Sequence, residues 1–174
     1  MKNRFRFRIL LFLTVLCMVG IFLFSSKPAD ESSEMSHEVG MFVCRIFVPG
    51  FEQWSAEEQN LLADKIDYPI RKAAHATEYA VLGMLLFGVL FTSNREISAK
   101  RKLLLAILIG AIYAATDEIH QLFVPGRAGL FTDVLIDTAG VMLGAVLIYG
   151  LTAKEKKSRQ HKRKKEKSKE NLSK

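Results

Sequence analysis

Apolar and polar positions separate along this chain into long blocks. Nearly unbroken apolar runs occupy Ile9–Phe24, Ile70–Phe91, Leu103–Phe123 and Leu130–Leu151, with most of the charge between and beyond them. Each run holds roughly 16 to 22 residues, enough or nearly enough for a helix to cross a hydrocarbon core about 30 Å thick. The pattern predicts an all-α integral membrane bundle of about four transmembrane helices.

The segment between the first two runs follows another rule. Met35, Val39, Phe42, Val43, Ile46 and Phe47 recur at helical spacing and make one apolar stripe that ends at Pro49-Gly50. Ser55 and Glu58 have capping-box spacing, so a second short helix is expected from Ser55, carrying Leu61, Leu62 and Ile66 inward. Both short amphipathic helices are expected to lie on the outer membrane surface or to cap the bundle. The chain thus divides into a basic start with the first helix (1–24), an extracytoplasmic loop (25–69), a core of three transmembrane helices (70–151) and a basic tail (152–174). The tail has no apolar period and is expected to be disordered.

Composition alone would mislead, because 49% hydrophobic and 25% charged residues in a 174-residue chain also describe many soluble domains. The net charge of +7 matters through its position. The tail, with Lys162-Arg163-Lys164-Lys165, offers no aromatic side chain on which a base could stack, so no nucleic-acid partner is expected and membrane lipids are the better partner for the charge. Lys and Arg crowd Lys2–Arg8, the loop with Arg95, Lys100, Arg101 and Lys102, and the tail, whereas Ser25–Asp67 is rich in acids. By the positive-inside rule a multi-pass chain with both termini cytoplasmic is expected. Cys17 and Cys44 do not form a disulfide framework and are read as unpaired. The first run has the basic start of a signal peptide but no Ala-x-Ala site, and Lys27-Pro28 follow it, so a retained anchor is expected.

Ionisable residues inside a span cost about 2.5–3.5 kcal/mol each near the bilayer centre and need an explanation. Three spans carry them: Arg71, Lys72, His75, Glu78 and Tyr79 in the second; Asp117, Glu118, His120 and Gln121 in the third; Asp133 and Asp137 in the fourth. With the orientation above, all fall in the outer part of their helices. Lys72, His75 and Tyr79 share one helix face, as do Asp117, His120 and Gln121, and as do Asp133 and Asp137, whose stripe continues into Gly140 and Gly144. Arg127, in the turn Val124-Pro125-Gly126-Arg127, is placed to pair with Asp133 or Glu118, or to bind a phosphate or carboxylate bidentately. For any one of these residues, a satisfied network holding helices in register is the simpler account. Their convergence at one depth favours a pocket.

Lys72-x-x-His75-x-x-x-Tyr79-x-x-Leu82, then Asp117-Glu118-x-His120-Gln121-x-Phe123-x-Pro125-Gly126-Arg127, then Asp133-Val134 and Gly140, resembles the VanZ-like family of bacterial membrane proteins over about Tyr68 to Gly150. The first run, the outer segment and the tail carry little of the resemblance. It implies a multi-helix protein of the bacterial cell membrane and envelope, in a family whose founding member is associated with reduced susceptibility to the glycopeptide teicoplanin. By that resemblance the motif positions are Lys72, His75, Tyr79, Asp117, Glu118, His120, Gln121, Arg127, Asp133 and Asp137, the last standing where many relatives are expected to carry Asn.

Two functions compete at this stage. In the first, the protein binds a cell-wall, lipid-linked or glycopeptide-related anionic ligand at the outer leaflet, with Arg127 and Lys72 meeting the anion. In the second, it is a membrane-embedded hydrolase or transferase in which His75, Asp117, His120 and Asp133 are the catalytic candidates, holding a divalent metal or using one His as general base. Spacing does not decide between them, since no His-Glu-x-x-His signature is present, and it names no cofactor. A transporter is disfavoured by the small bundle and the absence of duplicated halves.

Overall fold

Apolar runs bounded by Ser caps and Gly or Pro turns dictate where the helices begin and end. In a computed structural model, which describes residues 2–93 and 96–172, the chain forms α1 (Lys2–Ser25), α2 (Ala29–Phe47), a 3-10 turn (Phe51–Gln53), α3 (Ala56–Thr92), α4 (Ala99–Gln121) and α5 (Phe131–Leu172). Arg95 and Lys174, part of the basic segments above, lie outside the described residues. Ser98 caps α4, its hydroxyl accepting from the Arg101 N–H at 3.3 Å. Ser55 and Glu58 form the expected capping box at the start of α3, the Ser55 N–H donating to the Glu58 carboxylate at 2.9 Å. Among the described residues there is no strand, and α1, α3, α4 and α5 are long and apolar enough to cross a membrane.

These four helices alternate in direction, so that the end of α1, the middle of α3, the end of α4 and the start of α5 meet at one end of the bundle. The interior is built from small and aromatic residues: Tyr79, Leu82 and Phe87 of α3, Ala106 and Ala114 of α4, Val141 and Ala145 of α5, with Ile21 of α1. Many other Leu, Ile, Val and Phe side chains point outward, as with Phe12 (67% exposed), Leu104 (66%) and Leu143 (67%). That inversion suits a lipid solvent, where close backbone packing rather than burial of large side chains holds helices together. Gly83, Gly140 and Gly144 make the closest backbone approaches, Gly83 of α3 against the Val141 carbonyl of α5. A Cβ on Gly140 would overlap the Ala76 carbonyl, and one on Gly144 the carbonyl of Ala80, so glycine there lets α5 lie directly on the backbone of α3.

Two expectations about helix extent and one about a buried face are corrected. The short helix from Ser55 and the span from Ile70 are one helix, α3, which passes through Pro69. Proline deprives one carbonyl a turn earlier of its N–H partner, but α2 packs along this stretch and holds it: Gly40 lies 3.4–3.5 Å, measured from an added Cβ, from Ile70, Ile66 and the Ala63 carbonyl. At about 1.5 Å per residue, α3 is roughly 55 Å long, well beyond a hydrocarbon core of about 30 Å. Its first turns, paired antiparallel with α2, therefore extend past the bundle.

The buried face of α3 also differs in part from expectation. The side of α2 against α3 carries Ser36, Gly40 and Cys44, while Met35, Val39, Phe42, Ile46 and Phe47 of the apolar stripe face outward, Phe47 being 75% exposed. On α3 Ala63 is buried and Ile66 packs against Gly40 of α2, whereas Leu61, expected inward, is 56% exposed. Small residues win the buried face because the two helices approach closely. The outward stripe is what an interfacial helix presents to lipid.

Finally, the tail expected to be disordered from 152 continues α5 as helix through Leu172. Its Lys, Arg, Glu and Gln are good helix formers, and no Gly or Pro after Gly150 stops the run.

Candidate polar pocket at one end of the bundle

The turn between α4 and α5 is held by its own backbone and by one carboxylate. Arg127 N–H donates to the Val124 carbonyl at 3.1 Å, with Gly126 at φ 70° supplying the left-handed residue the turn requires. The Glu118 carboxylate accepts from the Leu130 N–H at 2.6 Å, fixing the start of α5 to the end of α4. From the other side, Ala29 N–H at the start of α2 donates to the Pro125 carbonyl at 3.1 Å. The turn is thereby clamped against the junction of α1 and α2.

Two polar clusters lie beneath it. The first is closed around Asp117, which is 3% exposed. One oxygen, Oδ2, accepts from the Ser25 hydroxyl at 2.7 Å and from the Tyr79 hydroxyl at 3.2 Å, joining α1, α3 and α4. The other, Oδ1, is buried and has no hydrogen-bond partner among the described residues. Nearby His120 faces the end of α1, its Nε2 3.1 Å from the Ser26 hydroxyl and its ring 4.4 Å from that of Phe22.

The second cluster surrounds a cavity of about 140 Å³ whose wall includes Arg71, Lys72, His75, Glu118, Gln121, Arg127, Asp133 and Asp137. Lys72 is ion-paired with Asp133 and lies 5.0 Å over the Tyr68 ring. Arg71 is ion-paired with Asp67 and donates to the Ser33 hydroxyl at 3.0 Å. The Arg127 Nε donates to the Lys27 carbonyl at 3.2 Å, and Arg127 forms no ion pair among the described residues. The alternative of Arg127 pairing with Asp133 or Glu118 is therefore not realised: Lys72 holds the first and a backbone N–H the second. Burial, then the neighbouring Arg71 guanidinium, lowers the Arg127 pKa from its ordinary value, against an opposing pull from Asp117, Glu118 and Asp133. The side chains of His75, Gln121 and Asp137 have no hydrogen-bond partner among the described residues.

The sequence-derived candidates thus divide. Lys72, His75, Glu118, Gln121, Arg127, Asp133 and Asp137 come together on the cavity. Tyr79, Asp117 and His120 do not line it; they form the network that ties α1 to α3 and α4. Arg71 lines the cavity and stood out in the sequence only as a charge beside Lys72. Ser25 and Ser26 had no signal at all, because their role exists only once the end of α1 meets the end of α4. Among the described residues no group of three or more His, Cys, Asp or Glu is gathered to hold a metal ion, and His75 and His120 have separate neighbours.

A helical bundle with four membrane-crossing helices and a cluster of ionisable side chains at one end defines an integral membrane protein with a polar end pocket. A family model described as VanZ/LLP1 matches residues 10–152, and the chain belongs to this VanZ-like family. The match begins inside α1, so it takes in the first helix and outer segment, which the motif resemblance had left aside. No curated protein and no solved structure matches the chain.

Proposed function

We propose that the protein is a binder of an anionic cell-envelope ligand, held at the outer leaflet in the cavity beneath the α4–α5 turn. The observation carrying this reading is that the guanidinium of Arg127 lines a cavity, holds one backbone carbonyl through Nε, and has no carboxylate partner among the described residues. A planar cation presented this way suits bidentate recognition of phosphate or carboxylate. Gln121 and Asp137 supply acceptors for hydroxyl or amino groups of the same ligand, and Lys72 with Asp133 forms one wall. Both termini are cytoplasmic in this reading, which puts the turn and α2 outside, where lipid-linked and cell-wall ligands are found. Altered teicoplanin susceptibility would then follow from occupancy of this site.

Native mass spectrometry of the purified full-length protein with a polyprenyl phosphate tests it. Wild type is expected to retain the phosphate lipid, Arg127→Ala to lose it and Arg127→Lys to hold it weakly; equal retention by all three would refute the reading. Alkaline phosphatase fused near Trp54 is expected to be active and fused after Lys174 inactive, and the reverse would overturn the orientation.

A further inference from the structure

A second cavity, about 180 Å³, opens beside the first, between α2, the end of α1 and α3. Most of its exposed wall surface is apolar, from Phe24, Met35, Val39, Ile70 and Ala74, with Lys27 and Glu78 also lining it. Three residues, Arg71, His75 and Arg127, line both cavities. Phe24, Met35 and Val39 are 49%, 39% and 49% exposed, so the outer lip of the groove is apolar and opens to the surroundings of the bundle. A polar chamber and an apolar groove thus share one wall, and two arginines stand at the join.

We infer that the ligand is an anionic amphiphile: its charged group sits at Arg127 and Arg71, and its hydrocarbon chain leaves through the groove between α2 and α3. This rests on the anion-binding reading above and adds the class of molecule. The occupant follows from continuity and charge. A free sugar phosphate or peptide carboxylate would use the polar chamber and leave the groove to lipid or water, whereas a phosphate or carboxylate bearing an alkyl or prenyl chain fills both. Arg71 is partly committed to Asp67 and Ser33, which leaves Arg127 as the principal anion contact and Arg71 as the secondary one.

The test compares inorganic phosphate, ethyl phosphate and hexyl phosphate, titrated by calorimetry into the full chain in phosphatidylcholine nanodiscs, with empty nanodiscs as blank. Each methylene that enters an apolar groove is worth about fourfold in affinity, so hexyl phosphate is expected to bind more than about tenfold tighter than ethyl phosphate. Ala74 is exposed and lines the groove, so Ala74→Phe is expected to fold normally, keep ethyl phosphate binding and abolish the gain from the longer chain. Arg127→Gln is expected to weaken all three probes. Wild type that binds none of them overturns the anion site and this inference together. Wild type that binds all three equally, or an Ala74→Phe protein that keeps the full chain-length gain, overturns the amphiphile inference and leaves the anion site standing.

Discussion

The two polar clusters at the end of the bundle are built from the same kinds of residue and do different things. Around Asp117 the groups face one another: Ser25 and Tyr79 both spend their hydroxyls on one carboxylate oxygen, the other oxygen is buried without a partner among the described residues, and Asp117 is only 3% exposed. Around the cavity, Lys72 and Asp133 pair and Glu118 takes a backbone N–H, yet Arg127, His75, Gln121 and Asp137 still offer groups that no described side chain satisfies. An ionisable residue in a membrane span is therefore a pointer to function only when its partners are counted. A closed cluster ties helices together, whereas an open one leaves polar groups facing a cavity.

Breaking the closed cluster should have the largest effect. Asp117→Ala leaves the Ser25 and Tyr79 hydroxyls without an acceptor, at about 1–3 kcal/mol each, partly offset by removal of a buried charge. A net loss of about 2–4 kcal/mol is expected by thermal unfolding in detergent. Asp117→Asn, which keeps an acceptor oxygen, should recover much of it. A melt for Asp117→Ala within a degree of wild type would show that this cluster does not tie the helices together.

Lys72→Met removes the partner of a carboxylate that is only 13% exposed. Fully buried pairs lose about 3–5 kcal/mol when one member is removed; the residual exposure here reduces the expected loss to about 1–3 kcal/mol. The double variant Lys72→Met, Asp133→Leu should regain part of the stability, and a double variant less stable than the single one would contradict the pairing.

Arg127→Ala sharpens the contrast from the other side. It gives up one hydrogen bond of 3.2 Å to a backbone carbonyl, so its melt should fall by about 1 kcal/mol, while binding of a phosphate probe should fall at least tenfold. Arg127→Lys keeps the charge but not the planar fork and should also be impaired in binding. An Arg127→Ala protein melting far below wild type would make Arg127 a structural counter-ion and undo the distinction between the clusters. The smallest effect is expected from ending the chain after Lys154: the removed segment has no apolar face with which to pack, so stability should change by less than about 0.5 kcal/mol, as circular dichroism melts of the shortened protein would show.

How much of this was legible in the sequence depends on the range of the interaction involved. Block length alone predicts the four crossing helices, because the bilayer sets one thickness for every span; Ser55 with Glu58 predicts the α3 cap, because a cap is complete within four residues. Lys72, His75, Gln121, Asp133 and Asp137 are legible as site candidates because each helix shows its polar face through its own periodicity, and Arg127 because it stands in the Pro125-Gly126 turn beside them. Passage of α3 through Pro69 is not, since a local rule ends a helix there and only the packing of α2 against Ala63, Ile66 and Ile70 maintains it. Nor is the separation of Asp117 and His120 from the cavity. That depends on where Ser25 and Ser26, about ninety residues away in sequence, come to rest, and no spacing rule within one helix encodes it. Residue type and local period decided which side chains are polar and which way each helix presents them; only the docking of α1 and α2 on the other helices decided which of them are closed off together and which are left facing an opening.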